Sequence, residues 1–206
     1  KALWIICTNP VVSMPEADRV AAAIKGCDFV VVSDCMAQTD TTRLAHVLLP
    51  AATWGERDGT VTNSERRISR QRPFRQPPGQ ARQDWRILAG VAARMGWGDA
   101  FAWMNSAEVF AEHAALSGVA GALGKDFDIS DHAAISATEY DTLWPFVWPA
   151  SPARHGGRFF ANGCFHHPDG KARMVPVQQM PAQTNPAHPF RLNTGRIRDQ
   201  WHTMTR

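Results

Sequence analysis

Two short, unbroken apolar runs, separated by one helix-length amphipathic segment, decide most of what the N-terminal part of this chain can become. Residues 2–7 read Ala-Leu-Trp-Ile-Ile-Cys and residues 29–33 read Phe-Val-Val-Val-Ser. Neither alternates polar with apolar, so both predict strands buried on two faces, as in parallel sheets. Between them Ala17, Val20, Ala21 and Ile24 recur at helical spacing, Pro15 suits the first helical position, and Gly26 closes the segment. Strand, helix, strand over 33 residues is a βαβ unit, for which a right-handed crossover is the strong default.

The remaining punctuation extends this pattern. Thr39–Leu44 reads as a helical turn and His46–Leu49 as a third strand. Gly59–Thr62 and Arg67–Gln71 read as a hairpin, and residues 73–79 as a loop. A helix is expected over Asp84–Met95, with Trp85, Leu88, Ala92 and Met95 on one face and Gly96 ending it. A second is expected over Ser106–Leu116 with Ser106 as its N-cap. Residues 118–136, rich in Gly, Ala and Asp, read as loop, and Thr138–Phe146 as a short helix. From Trp148 onward Pro, Gly, His and Asn dominate. Strand candidates there are Arg158–Ala161 and Ala172–Val177, residues 181–189 read as a linker, and Phe190–Asn193 as a new strand. The expected fold class is α/β: an open, mostly parallel Rossmann-like sheet with flanking helices over residues 1–147. An irregular segment over 148–189 and the first strand of a truncated β domain over 190–206 would follow.

Composition narrows the partners. The chain has 22 Lys+Arg against 19 Asp+Glu, a surplus too small to argue for nucleic acid, and no apolar run long enough to span a membrane. Nine arginines nevertheless lie at 57, 66, 67, 70, 72, 75, 82, 86 and 94. They either bind a polyanion or pair with acids elsewhere in a larger protein. Cys7, Cys27, Cys35 and Cys164 show no C-x-x-C spacing, and the first three sit in or beside apolar stretches. Reduced, buried thiols and a cytoplasmic location are expected. The start at Lys1 and the end at Arg206, inside an unfinished motif, are those expected of a fragment.

In open parallel sheets ligands bind at the carboxyl ends of the strands. Two such ends are visible, Thr8-Asn9-Pro10 and Ser33-Asp34. A carboxylate after the second strand of a βαβ unit can grip ribose hydroxyls or accept both hydrogens of a guanine edge. It can equally cap a turn. There is no G-x-G-x-x-G after the first strand, no G-x-S-x-G, no H-E-x-x-H and no P-loop, which disfavours a dinucleotide fold of the NAD type. His166-His167 is the one close histidine pair, and neighbours on a strand face opposite sides. The residues alone point to nucleotide binding without catalytic machinery.

Several stretches together resemble the molybdopterin oxidoreductases that carry bis-molybdopterin guanine dinucleotide, and among them the assimilatory nitrate reductases. They are T-N-P at 8–10, V-V-S-D at 31–34, A-H-V-L-L-P-A at 45–51, and W-G-E-R-D-G-T-V-T-N-S-E-R-R at 54–67. P-P-G-Q-A-R-Q-D-W at 77–85 and L-N-T-G-R-I-R-D-Q-W-H-T-M-T-R at 192–206 complete the set. The resemblance implies a part of a large cytoplasmic catalytic subunit that reduces nitrate to nitrite, with a formate dehydrogenase-like subunit as the nearest alternative. It implies that Asn9, Ser33, Asp34, Arg57 and Asp84 contact the dinucleotide, with Asp34 on the guanine edge. Asp84 has a competing role as N-cap of the following helix. Thr194, Gly195, Arg196, Trp201, His202 and Thr203 would line the pterin. Glu65-Arg66-Arg67 is implied to be structural, an ion-pair network, and His46 stands where an acid is usual. The iron–sulfur motif and the molybdenum ligand would lie upstream of Lys1, so the chain alone is expected to be inactive and to bind the dinucleotide weakly or not at all. The resemblance implies no nucleic-acid or membrane partner and leaves the electron donor open.

Overall fold

The computed structural model describes residues 1–179, 186–190 and 192. They fall in two compact units, one over Lys1–Gly157 and one from Arg158 onward. In chain order the elements are β1 (Ala2–Ile6), α1 (Pro10–Ser13), α2 (Ala17–Lys25), β2 (Phe29–Asp34), β3 (Val47–Pro50), β4 (Gly59–Thr62) and β5 (Arg67–Gln71). They continue with α3 (Asp84–Arg94), α4 (Ser106–Ala122), α5 (Ala137–Asp141), β6 (Phe146–Val147), β7 (Ala150–Ser151) and β8 (Arg154–His155). Short 3₁₀ turns over Thr42–Leu44 and Trp54–Glu56 flank β3.

The βαβ unit forms as its pattern requires. β1, β2 and β3 make a parallel sheet in that order, with Ile6 opposite Ser33 and Asp34 opposite Pro50. β2 is central, and Val30 and Val32 are fully buried against Ile5 and Ile24. Burying such a side chain stabilises by about 1.5–3 kcal/mol, so this small cluster fixes the register. Pro15 does not start the helix. Pro10 takes the first position of the one-turn α1, and α2 begins at Ala17 after Glu16, whose φ of 57° breaks the chain direction between them. His46 joins the sheet in an unexpected way. Its backbone N–H donates to Val30 O at 2.8 Å, and its ring Nδ1 accepts the Val30 N–H at 2.9 Å.

The rest of the first unit is antiparallel. β4, β5 and β6 form a second sheet and β7–β8 a two-residue ribbon, so the described sheet content is mixed. The second core joins Ile68, Ala107, Phe110, Ala114, Ile129 and Tyr140. α4 corrects two expectations. Its N-cap is Asn105, whose side chain accepts the Glu108 N–H, and Ser106 is already helical. The helix also runs through Gly118 and Gly121 to Ala122 instead of stopping at Leu116. The glycines serve close approach: a Cβ would come within 2.8 Å of Ser130 Cβ at Gly118 and within 2.8 Å of Asp128 Oδ2 at Gly121. The helix expected over Thr138–Phe146 is shorter, because Phe146 and Val147 pair with β5.

α3 turns a different face inward than its spacing predicted. Ile87 is buried, while Leu88 and Met95 stay exposed. The thiols also depart from expectation: Cys7, Cys35 and Cys164 are exposed and Cys27 half-buried, all unpaired by disulfide. Cys7 and Cys35 each sit one residue beyond a strand, where apolar neighbours in sequence no longer mean burial. In the second unit Arg158–Ala161 and Ala172–Val177 are not strands. Phe160, at φ 58°, turns the chain and stacks on Phe165 at 4.9 Å, and residues 172–177 pair with no strand among the described residues. Most of the expected linker and the strand at 190–193 lie outside the described residues, as do Thr194, Gly195, Arg196, Trp201, His202 and Thr203.

One titration is built into the second core. His132 is half-buried between Phe110 and Phe146, with ring centroids 5.9 and 4.3 Å away. Burial holds its pKa below 6.5; Asp131 opposes the shift and His155 adds to it. The folded state therefore binds fewer protons than the unfolded one just below pH 6.5. Stability from this group is present above that pH and lost as pH falls through the folded value. Asp128 and Glu139, held below 3.8 and 4.5, act only at lower pH. The melting temperature is expected to fall as pH drops below 6.5, and His132→Phe to flatten that limb of the curve.

Candidate functional site

The carboxyl ends of β1 and β2 open into one cavity of about 360 Å³, lined by Cys7, Thr8, Asn9, Ser33, Asp34, Cys35, Ala51, Arg57 and Asp84. Asn9, Ser33, Asp34, Arg57 and Asp84 thus come together from four separate stretches of sequence. The backbone explains how. Cys7 takes a left-handed φ of 59° directly after β1, which swings Thr8 and Asn9 across the strand ends. Ala51 N–H donates to Asp34 O. Ala52 N–H donates to Arg82 O, and Arg82 N–H to Pro50 O, which carries the start of α3 alongside β3. Asp84 arrives at the cavity by that route. It is the first residue of α3 and not its N-cap; Gln83 holds the cap position.

Each polar side chain is held by neighbours. Trp4 Nε1–H donates to Ser33 Oγ at 3.0 Å, which leaves the Ser33 hydroxyl hydrogen for another acceptor. Asp34 Oδ1 accepts the Met36 N–H at 2.9 Å. That bond makes Asp34 a turn cap, and among the described residues its Oδ2 has no protein donor. Arg57 Nε donates to Ala52 O at 2.6 Å, and its Nη2 lies 3.3 Å from Asp84 Oδ2. Thr53 and Glu56 form a reciprocal capping box just before it, which sets the turn that delivers Arg57.

The charge pattern says what such a cavity can hold. Two carboxylates face one guanidinium, and its field shows at Cys7. Partial burial pushes that thiol up, the Asp84 and Asp34 charges push it further, and Arg57 opposes them. A net negative cavity suits hydrogen-bond donors, such as the N1–H and N2–H₂ edge of a guanine or ribose hydroxyls, better than a pyrophosphate. An aspartate with one oxygen tied to the backbone and one free is shaped for such an edge. The residues present therefore fit the guanosine end of the implied cofactor. Cys7, Cys35 and Ala51 were not among the sequence candidates; their one signal is position, one residue past a strand.

The arginine block is largely spent inside the chain. Arg57, Arg67, Arg70, Arg72 and Arg75 lie within 4.0 Å of Asp84, Glu65, Asp58, Asp141 and Glu56 respectively. Arg66 acts as a brace: it donates to the carbonyls of Trp148 and Gly157 and lies 5.2 Å over the Trp148 ring. Arg82, Arg86 and Arg94 border a second groove floored by Leu49, Ile87 and Val91, with no carboxylate among its described lining residues.

Comparison with known proteins bears on this geometry. Residues 1–94 match the model of the molybdopterin oxidoreductase family. The chain is 53% identical to a nitrate reductase of Klebsiella oxytoca, over 100% of this chain and 24% of that protein. It is 34% identical to the F420-dependent formate dehydrogenase subunit alpha of Methanocaldococcus jannaschii, over 100% of this chain and 29% of that protein. The acetylene hydratase of Pelobacter acetylenicus shares the fold, with a TM-score of 0.56 over 83% of this chain and 21% of that one, at 19% identity. The chain spans about a quarter of the length of the curated relatives it matches. The β1–α2–β2 unit and its strand-end cavity fall within residues 1–94, the part that matches the molybdopterin oxidoreductase family.

Proposed function

We propose that this chain is part of a molybdenum oxidoreductase catalytic subunit, that it holds the guanosine end of a molybdopterin guanine dinucleotide, and that the whole enzyme reduces nitrate to nitrite. The observation that carries this is the convergence of Asn9, Ser33, Asp34, Arg57 and Asp84 on one donor-seeking cavity at the ends of β1 and β2. Asp34 accepts from the base edge, Ser33 and Asn9 bond the nucleoside, and the Arg57–Asp84 pair closes the far side. When bound, the molybdenum centre supplies the oxygen-atom transfer that takes nitrate, two electrons and two protons to nitrite and water. The protein supplies orientation and electrostatics. The reacting centre and an iron–sulfur cluster belong to other parts of the enzyme, consistent with the quarter length spanned. We place that enzyme in the cytoplasm; among the described residues no helix is long and apolar enough to cross a membrane.

A formate dehydrogenase is the second reading, favoured by the 34% identity to the methanogen subunit. The full-length, molybdenum-loaded protein distinguishes them. With a reduced viologen dye as donor it is expected to convert nitrate to nitrite, and with oxidised dye it is expected to leave formate unoxidised. Formate oxidation without nitrate reduction would reverse the assignment.

A further inference from the structure

We infer that Thr41 is a positioning residue for the dinucleotide site: its hydroxyl fixes the Asn9 carboxamide so that Asn9 Nδ2 is presented as a donor to an acceptor oxygen of the bound nucleotide. The inference rests on the reading of the cavity given above.

Thr41 is fully buried and does not line the cavity. Its Oγ1–H donates to Asn9 Oδ1 at 2.5 Å, and the same oxygen accepts the Val11 N–H at 3.2 Å. A hydroxyl has one proton and two lone pairs; here Asn9 Oδ1 takes the proton and the Val11 N–H occupies one lone pair. Asn9 has no competing side-chain duty. Its main-chain carbonyl accepts the Val12 and Ser13 N–H groups at 3.0 Å, yet its carboxamide does not cap α1. With Oδ1 committed to Thr41, the amide cannot turn over without breaking a short bond to a buried hydroxyl. Nδ2 is then the end left to the cavity, and among the described residues it has no acceptor.

This donor complements the carboxylates. Asp34 and Asp84 can only accept, so a ligand's acceptor oxygens need an N–H, and Asn9 supplies one held in place from 32 residues away in sequence. The bond also ties the loop after β1 to the turn after β2, so the two strand ends that frame the cavity are set relative to each other. No local pattern around Thr41 announces this; the residue stands among three threonines at 39, 41 and 42.

The test uses the full-length subunit purified with its cofactor, and follows the guanosine monophosphate that acid hydrolysis releases per polypeptide during dialysis. Thr41→Val, which keeps shape and removes the hydroxyl, is expected to lose dinucleotide about tenfold faster, and Thr41→Ser to stay within about twofold of the parent. Asn9→Asp, which keeps the Thr41 bond but turns the donor into an acceptor, is expected to lose it at least as fast as Thr41→Val, with an unchanged melting temperature. The double variant Thr41→Val with Asn9→Ala is expected to be no worse than Asn9→Ala alone, because the two residues act through one contact. If Thr41→Val retains the dinucleotide while Asn9→Ala loses it, or if the two losses add, the positioning role of Thr41 is overturned and the reading of the cavity stands. If Asn9→Ala and Asn9→Asp both retain it, the reading of the cavity falls and takes the role of Thr41 with it.

Discussion

Replacing Arg70 with methionine is expected to destabilise the chain by about 3–5 kcal/mol, the usual penalty for stranding one member of a buried charge network. The Arg70 side chain is only 4% exposed. Its Nη1 lies 2.8 Å from Asp58 Oδ1, and its Nε donates to Tyr140 O at 2.8 Å. Its Nη1 also reaches the carbonyls of Gly59 and Gln71. The guanidinium carbon stands 4.1 Å from the Tyr140 ring centroid. One side chain therefore joins β4, β5 and α5 around the second core. Burial pushes the Tyr140 hydroxyl up to about 12, so Tyr140 provides a neutral ring and not a second charge. Methionine keeps most of the volume, so the loss measures the charge and its hydrogen bonds more than a cavity. Urea unfolding of the chain checks this. Adding Asp58→Asn to Arg70→Met is expected to recover part of the loss by removing the stranded carboxylate, although Ser106 Oγ, 2.7 Å from Asp58 Oδ2, would then need a new partner. A loss below about 1 kcal/mol for Arg70→Met would mean that solvent reaches this network.

The largest functional effect is expected at Asp34. Asparagine at this position keeps an oxygen for the Met36 N–H, so the turn after β2 survives. It also replaces the free carboxylate oxygen with an amide donor, which meets the N–H edge of a guanine head-on. One charge-assisted hydrogen bond, worth about 1.5–3 kcal/mol, is lost and a donor facing a donor takes its place. Asp34→Asn in the full-length subunit is therefore expected to weaken dinucleotide retention by at least about a hundredfold at an unchanged melting temperature. Retention equal to the parent would move the guanine contact away from Asp34.

What the sequence disclosed follows from which forces are local. The βαβ unit was legible because Ala2–Ile6 and residues 29–32 are each uniformly apolar and Gly26 marks the helix end. The rule that ligands sit at strand ends then singled out Asn9, Ser33 and Asp34 without coordinates. Arg57 and Asp84 needed the family resemblance, since only the Ala51–Arg82 bridge brings their segments to the same place. α4 was cut short because Gly118 and Gly121 weigh against helix when counted as propensities. Their close contacts with Ser130 and Asp128 are tertiary and leave no mark on the helix's own sequence. α3 carries apolar residues on more than one face, so spacing could not choose between Leu88 and Ile87, and packing chose Ile87. Thr41 escaped for the same reason as the glycines: its partner is Asn9, far away along the chain.

The ring of His46 has a consequence for which amino acids can stand at that position. It completes the β2–β3 ladder from the side, with Nδ1 doing for the Val30 N–H what a main-chain carbonyl does elsewhere in a sheet. Aspartate in its place would offer an oxygen the same number of bonds from the backbone. Histidine and aspartate are thus interchangeable spellings of one acceptor, differing in charge while leaving the strand alignment alone. Alanine or lysine is not a spelling of it at all, and would leave the fully buried Val30 with an amide that nothing answers.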